Sequence, residues 1–178
     1  AETVKLTLLG VGDVYNFAEE DGRGGFARLN AVARAERAAN PNTLYLFDGD
    51  MLSPSLISGF DHGQNTIDLT NIVPFDLAVP GNHEFDFGPV GPAATPRLPS
   101  DDPRGALKQR AAEARFPYLA ANLIDETTGR PVAWTNVRPS AVVEAAGVKV
   151  GVVGVMTAGA LSASVAHDPD VIEVQLHA

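Results

Sequence analysis

The sequence predicts an α/β fold in a single domain over residues 1–178. Three observations lead to that class. Apolar segments of strand length occur at 4–9, 43–47 and 76–79; stretches of helical period lie between them at 25–39 and 64–73; and each apolar segment runs out into a polar or glycine-rich loop. In open α/β sheets helices cover the faces, so ligand sites gather beyond the carboxyl ends of the strands.

Residues 4–9, Val-Lys-Leu-Thr-Leu-Leu, mix alternation with an apolar finish and lead into Gly10-Val11-Gly12-Asp13, which places Asp13 at a strand end. From Gly25 to Ala39 the residues Phe26, Leu29, Val32 and Ala33 share one helical face, and Asn40-Pro41 stops the helix. Thr43–Phe47 is a second strand, followed by Asp48-Gly49-Asp50 in a turn. Residues 64–73 form a shorter helix carrying Ile67, Leu69 and Ile72. Asp76–Val79 gives the third strand, broken by Pro80-Gly81-Asn82-His83. The stretch 88–104, rich in Pro, Gly, Ser and Asp, reads as a flexible surface loop with little to pack. Beyond it, 105–114 is helical, 117–121, 132–137 and 141–155 read as strands, and Ala146-Gly147 is a hairpin turn.

Composition narrows the function. A net charge of −9 repels a phosphate-rich polymer, which argues against a nucleic-acid partner bound through a broad basic patch. The absence of cysteine excludes disulfides, thiolate ligands and a cysteine nucleophile. No apolar run approaches the ~20 residues that span a bilayer. The start, Ala1-Glu2-Thr3-Val4, moves straight into a strand pattern without Met, the form a secreted or periplasmic protein takes after its signal is removed.

The residues that carry chemistry are Asp13 after the first strand, Asp50 after the second, and the run Gly81-Asn82-His83-Glu84-Phe85-Asp86 after the third. Carboxylates, an amide oxygen and an imidazole suit Mn, Zn, Fe, Mg or Ca, and one carboxylate can bridge two ions. Two ions so held supply hydroxide at neutral pH and stabilise both the attacking and the leaving oxygen of a phosphoester. Singly, each aspartate reads better as a turn or capping residue, and Asn82-His83-Glu84 as a cap with an exposed histidine. Their joint order and spacing favour a metal site.

Gly49-Asp50, the run GNHEFD at 81–86 and GGFARL at 24–29 resemble the calcineurin-like metallophosphatase superfamily, specifically its 5'-nucleotidase branch. The resemblance covers most of the chain and implies an incomplete four-layer αββα sandwich. It implies that two divalent ions are held, with Asp13 on the first, Asp50 bridging and Asn82 on the second. It further implies that His83 stabilises charge at the phosphoryl group or leaving oxygen, with Asp86 orienting its ring.

Two departures stand out. The family places Asp-x-His after the first strand where this chain has Asp13-Val14-Tyr15, so Tyr15 either binds a harder metal, hydrogen-bonds beside it, or marks a weakened site. The family's later histidine motifs are absent, since His167 and His177 match neither context, and its C-terminal nucleotide-binding domain is missing too.

Other features read blandly. Gly10-Val11-Gly12 is no dinucleotide fingerprint, because the third glycine would fall at Tyr15. His62 and the run Glu19-Glu20-Asp21 read as solvated loop, Phe85 and Phe87 as packing beneath the motif loop, and Ser53 and Ser55 have no nearby base. The expected activity is hydrolysis of a phosphate ester, foremost a nucleotide. The chain would be a portion of a longer enzyme, completed by another segment or a second copy. Alternatives are a non-catalytic metal- or phosphate-binding module, and a hydrolase of cyclic phosphodiesters or other esters.

Overall fold

In the computed structural model the described residues are 3–93, 95–161 and 172–174, the last three through their backbone alone. The element order is β1 (Thr7–Val11), α1 (Phe26–Ala39), β2 (Thr43–Phe47), α2 (Ser58–Asp61), α3 (Gln64–Thr70) and β3 (Leu77–Ala78). A 3-10 turn (Asn82–Phe85) precedes α4 (Gly105–Glu113), β4 (Tyr118–Leu119), β5 (Leu123–Asp125), β6 (Arg130–Pro131) and β7 (Val137–Arg138). The hairpin β8 (Ser140–Ala145) and β9 (Val148–Val153) follows, and β10 (Ile172–Val174) is last.

The main sheet runs β1-β2-β3-β4-β7, with every neighbouring pair parallel. Strands laid down in sequence order with right-handed crossovers carry all their helices to one face. That is the arrangement found. Tyr45, Phe47, Ala78 and Tyr118 of the sheet pack with Ala33 of α1, Ile67 of α3, and Leu107 and Ala111 of α4 in one core. Their alternate neighbours Leu46, Leu77 and Leu119 point to the other face, where Ala141, Val143 and Val152 of the hairpin meet them in a smaller cluster. β5 joins β6 and β10 in a separate antiparallel sheet. The mixed α/β layering is as expected of an incomplete αββα sandwich: one face of the main sheet is sealed by helices and the other carries a two-stranded hairpin among the described residues.

Aromatic packing closes the helical side. Phe75 lies between Tyr45, Phe47 and Phe116 at ring separations of 4.5, 5.0 and 5.1 Å, and each of these four side chains is nearly fully buried. The loop side of α1 is tied to the sheet through Asp76, whose Oδ2 accepts from the Tyr45 backbone N–H at 2.7 Å and from Arg37 at 3.0 Å.

Several expectations are corrected in detail. β1 starts at Thr7 rather than at residue 4 and continues through Val11, so the loop opens at Gly12. The strand expected at 132–137 is not formed over 132–136: β6 ends at Pro131, the chain turns at Asn136, whose backbone is left-handed (φ 59), and β7 begins at Val137. The Asn136 carboxamide donates to the carbonyls of Ala111, Ala114 and Phe116 at 2.8–3.1 Å, which ends α4 against β7. Val32 is 49% exposed although it lies on the predicted apolar face of α1. The 88–104 loop is anchored at both ends, with Gly88, Pro89 and Arg104 buried. The hairpin turn at Ala146-Gly147 is as expected, both residues having positive φ (55 and 72), the conformation that suits a two-residue turn.

Candidate metal and phosphate site

Three loops at the carboxyl ends of β1, β2 and β3 form the site. Beyond β1 and β2 the parallel ladder carries on: Asp48 N–H donates to the Val11 carbonyl at 2.8 Å, Asp13 N–H to Gly49 at 3.0 Å, and Val14 N–H to Asp50 at 2.9 Å. Asp13 and Asp50 therefore sit on adjacent strands of backbone, both in the left-handed region (φ 55 and 70) that few non-glycine residues adopt.

The β2 and β3 loops interlock. Gly49 has φ 103, and a Cβ built on it would lie 2.7 Å from the Gly81 nitrogen, while a Cβ on Gly81 would run into the Asp50 carboxylate. Glu84 fastens them from beneath. Its side chain is fully buried; Oε2 accepts from the Gly81 and Asp50 N–H groups at 2.6 and 2.8 Å, and Oε1 from Met51 and Leu52 at 2.7 and 3.3 Å. Burial pushes its carboxyl upward, the Met51, Asp50 and Gly81 donors pull the other way, and the net shift is upward. Sequence reasoning placed Glu84 in the motif run and in a capping turn, without tying it to the β2 loop. The signal was there in its spacing: an acid three residues after Gly81 is the half of a capping box that reaches back to the first N–H of the turn.

His83 is held at two points. Its backbone N–H donates to Asp50 Oδ1 at 2.9 Å, and its ring Nδ1 meets Asp86 Oδ2 at 2.7 Å. Partial desolvation lowers the imidazole pKa, but the Asp86 bond and the charges of Asp86, Asp50 and Glu84 outweigh it and hold it above the usual value. Nε2 makes no hydrogen bond among the described residues. Tyr15 joins the group from β1's loop, its hydroxyl donating to Asp13 Oδ1 at 2.7 Å and its ring meeting His83 edge-on at 5.7 Å. Desolvation, the Asp13 bond and neighbouring carboxylates raise the phenol well above its ordinary value, so it is a neutral donor.

The structure thus brings Asp13, Tyr15, Asp50, His83 and Asp86 into one connected set, with Asn82 at the start of the 3-10 turn. Asp13 and Asp50 each use one oxygen within the protein, and the Asn82 carboxamide uses none, among the described residues. Hard oxygen donors left free in this way suit a divalent cation. They are an incomplete shell: no group of three His, Cys, Asp or Glu side chains placed to hold a metal occurs among the described residues. His167 and His177 lie outside those residues. His62, expected to be solvated, instead stacks on Phe87 at 4.9 Å, and Phe85 is buried in the core as expected.

Residues 6–141 match the calcineurin-like phosphoesterase model. The chain belongs to that family, whose members use divalent metal ions. It is 33% identical over 135 residues to the probable 5'-nucleotidase of Treponema pallidum (strain Nichols), a match covering 75% of this chain and 20% of that protein. The 5'-nucleotidase precursor from Thermus thermophilus has a TM-score of 0.70 and 26% identity over 96% of this chain and 32% of its own. The NAD nucleotidase of Haemophilus influenzae shares the fold, with a TM-score of 0.71 at 22% identity, covering 97% of this chain and 33% of its own. This family member therefore spans about a fifth of the curated relative and a third of each solved structure. No helix among its described residues is long and apolar enough to cross a membrane.

Proposed function

We propose that this chain is the first portion of a metal-dependent phosphoesterase of 5'-nucleotidase type, acting on phosphomonoesters and foremost on nucleotides. The observation that carries the reading is His83, fixed between Asp50 and Asp86 at 2.9 and 2.7 Å, near Asp13 and Asp50, each of which keeps one oxygen without a bond among the described residues. Asp13, Asp50 and Asn82 would hold divalent cations, Asp50 between two of them. Bound there, such ions supply Lewis acidity and an activated water for hydrolysis without a phosphoenzyme. Tyr15, tied to Asp13 through its hydroxyl, would steady that carboxylate.

The protein's own part is positional and electrostatic. Asp86 fixes the imidazole with Nδ1 inward and supports its positive form, so that Nε2 is directed to the phosphoryl group and stabilises charge that develops on the leaving oxygen. A complementary segment or a second copy would supply the remaining ligands. Export to the periplasm or outside the cell fits a relative described as a precursor and others described as venom enzymes.

The incomplete ligand shell favours a second reading, a module that binds metal or phosphate without turnover. Metal content by mass spectrometry, with phosphate release from AMP in added Mn and Zn, separates the two. Two ions per chain with turnover supports the enzyme, and a His83→Asn variant should then lose turnover while keeping its metal. Turnover undiminished in His83→Asn, or metal content insensitive to Asp50→Asn, overturns the site assignment.

A further inference from the structure

We infer that Tyr15 sets the cation preference of the site: by holding one oxygen of Asp13 it makes that carboxylate a single-oxygen ligand, and so favours a small octahedral ion, Mg²⁺ or Mn²⁺, over Ca²⁺. The inference rests on the phosphoesterase reading above and concerns which ion those residues take.

Each carboxylate proposed as a ligand has one oxygen already committed. Asp13 Oδ1 accepts the Tyr15 hydroxyl at 2.7 Å, and Asp50 Oδ1 accepts the His83 N–H at 2.9 Å. An oxygen that accepts so short a hydrogen bond has less charge to give an ion, so each side chain offers one strong ligand atom, Oδ2, rather than a chelating pair. The Asn82 carboxamide, without a hydrogen bond among the described residues, adds one more oxygen. Ca²⁺ fills a shell of about 6–8 oxygens and does so in part with carboxylates that chelate, whereas Mg²⁺ takes one or two carboxylate oxygens and completes an octahedron with water. Single oxygens from Asp13, Asp50 and Asn82 match the second pattern, and Mn²⁺ shares the octahedral oxygen preference.

The two carboxylates differ in how firmly they are kept in this state. Asp50 is confined, because its carboxylate lies against Gly81, where a Cβ would run into it, and accepts a backbone donor from the same loop. Asp13 is exposed and fixed through its backbone, its N–H donating to Gly49 at 3.0 Å. Without the tyrosine hydroxyl its side chain would be free to turn both oxygens to one ion. Tyr15 is itself braced: its ring meets the His83 imidazole edge-on at 5.7 Å, and Asp86 fixes that imidazole at 2.7 Å. The series Asp86, His83, Tyr15, Asp13 thus carries order from the fastened loop to the open one. A phenylalanine would keep the ring contact and lose the hold on Asp13.

Mn²⁺ binding to the chain, followed by electron paramagnetic resonance with Mg²⁺ and Ca²⁺ as competitors, tests the assignment. In the unaltered chain Mg²⁺ should displace Mn²⁺ at lower concentration than Ca²⁺ does. Tyr15→Phe should still bind Mn²⁺, with the advantage of Mg²⁺ over Ca²⁺ reduced by about tenfold, the scale on which groups that orient a metal ligand act. A tyrosine that only supported the fold would shift all three ions together and leave their ratio alone. An unchanged ratio in Tyr15→Phe, or Ca²⁺ competing as well as Mg²⁺ in the unaltered chain, overturns the role of Tyr15. So does loss of all Mn²⁺ binding by a Tyr15→Phe chain that keeps its circular dichroism, since the phenol would then be a ligand itself. Mn²⁺ binding undiminished in Asp50→Asn, or absent from the unaltered chain, overturns the metal site on which the inference rests.

Discussion

The loops after β2 and β3 and the loop after β1 contribute to the same site but are built differently. The first two are locked: the Gly81 backbone leaves no room for a Cβ on Gly49, Asp50 leaves none for a Cβ on Gly81, and four backbone N–H groups converge on one buried carboxylate. The third is open. Asp13 is exposed, and its side chain is steadied by Tyr15. Where Asp50 and His83 sit, the loops are rigidly fastened; where Asp13 sits, the position is set by backbone pairing to the β2 loop, and the side chain keeps freedom to adjust.

The sharpest way to break the contrast is Glu84→Gln. Glutamine has one acceptor oxygen, so its amide nitrogen would face two of the four backbone donors, and destabilisation of about 3 kcal/mol is expected. Urea unfolding measures it, and an unchanged midpoint would mean that Glu84 is not the fastener. Gly81→Ala comes next at about 1–3 kcal/mol, because the new methyl must displace Asp50. Its companion signature is movement of the His83 amide resonance, since that N–H is bonded to Asp50 Oδ1.

The His83–Asp86 pair gives a smaller, pH-dependent effect. The folded-state pKa of His83 is raised above the unfolded value of about 6.5, so its contribution to stability is complete below about pH 6.5 and is lost as pH rises through the folded value. Asp86→Asn should lower the imidazole pKa read from the ring proton shift; no change would detach Asp86 from the role of orienting the ring. Tyr15→Phe is expected to be mildest, about 0.5–1 kcal/mol, because the bond it removes is solvent-exposed and Asp13 can turn to water. A loss as large as that of Glu84→Gln would erase the distinction between the loops.

How much of this was legible follows the same division. β2 was read to the residue, because a short apolar run between Pro41-Asn42 and Asp48-Gly49 admits little else, and the regular helices α1, α3 and α4 show through their period. β5 and the two halves of 130–138 were hidden because three- and two-residue strands carry no alternation, and the turn at Asn136 depends on carbonyls some 20 residues away. In the site, the residue types and order around Asp50 and His83 were readable. Of Glu84's bonds, the reach back to Gly81 was readable from spacing, but those to Asp50, Met51 and Leu52 were not, since a glutamate is expected at the surface and only the folded loops bring these donors to it.

Glu84 also bears on how the molecule assembles. Three of its four bonds join residues 32–34 positions apart in the chain, so they form only when the β2 and β3 ends have come together, with the α2–α3 segment looped between them. The carboxylate would then close the site as the sheet is completed, not before it, and separation of β2 from β3 would release the Asp50, Met51 and Leu52 donors at once while the local Gly81 bond could persist. Exchange of the Met51 amide with heavy water should therefore track opening of the whole sheet, while exchange at Asn16, on the open loop, proceeds by local motion without it.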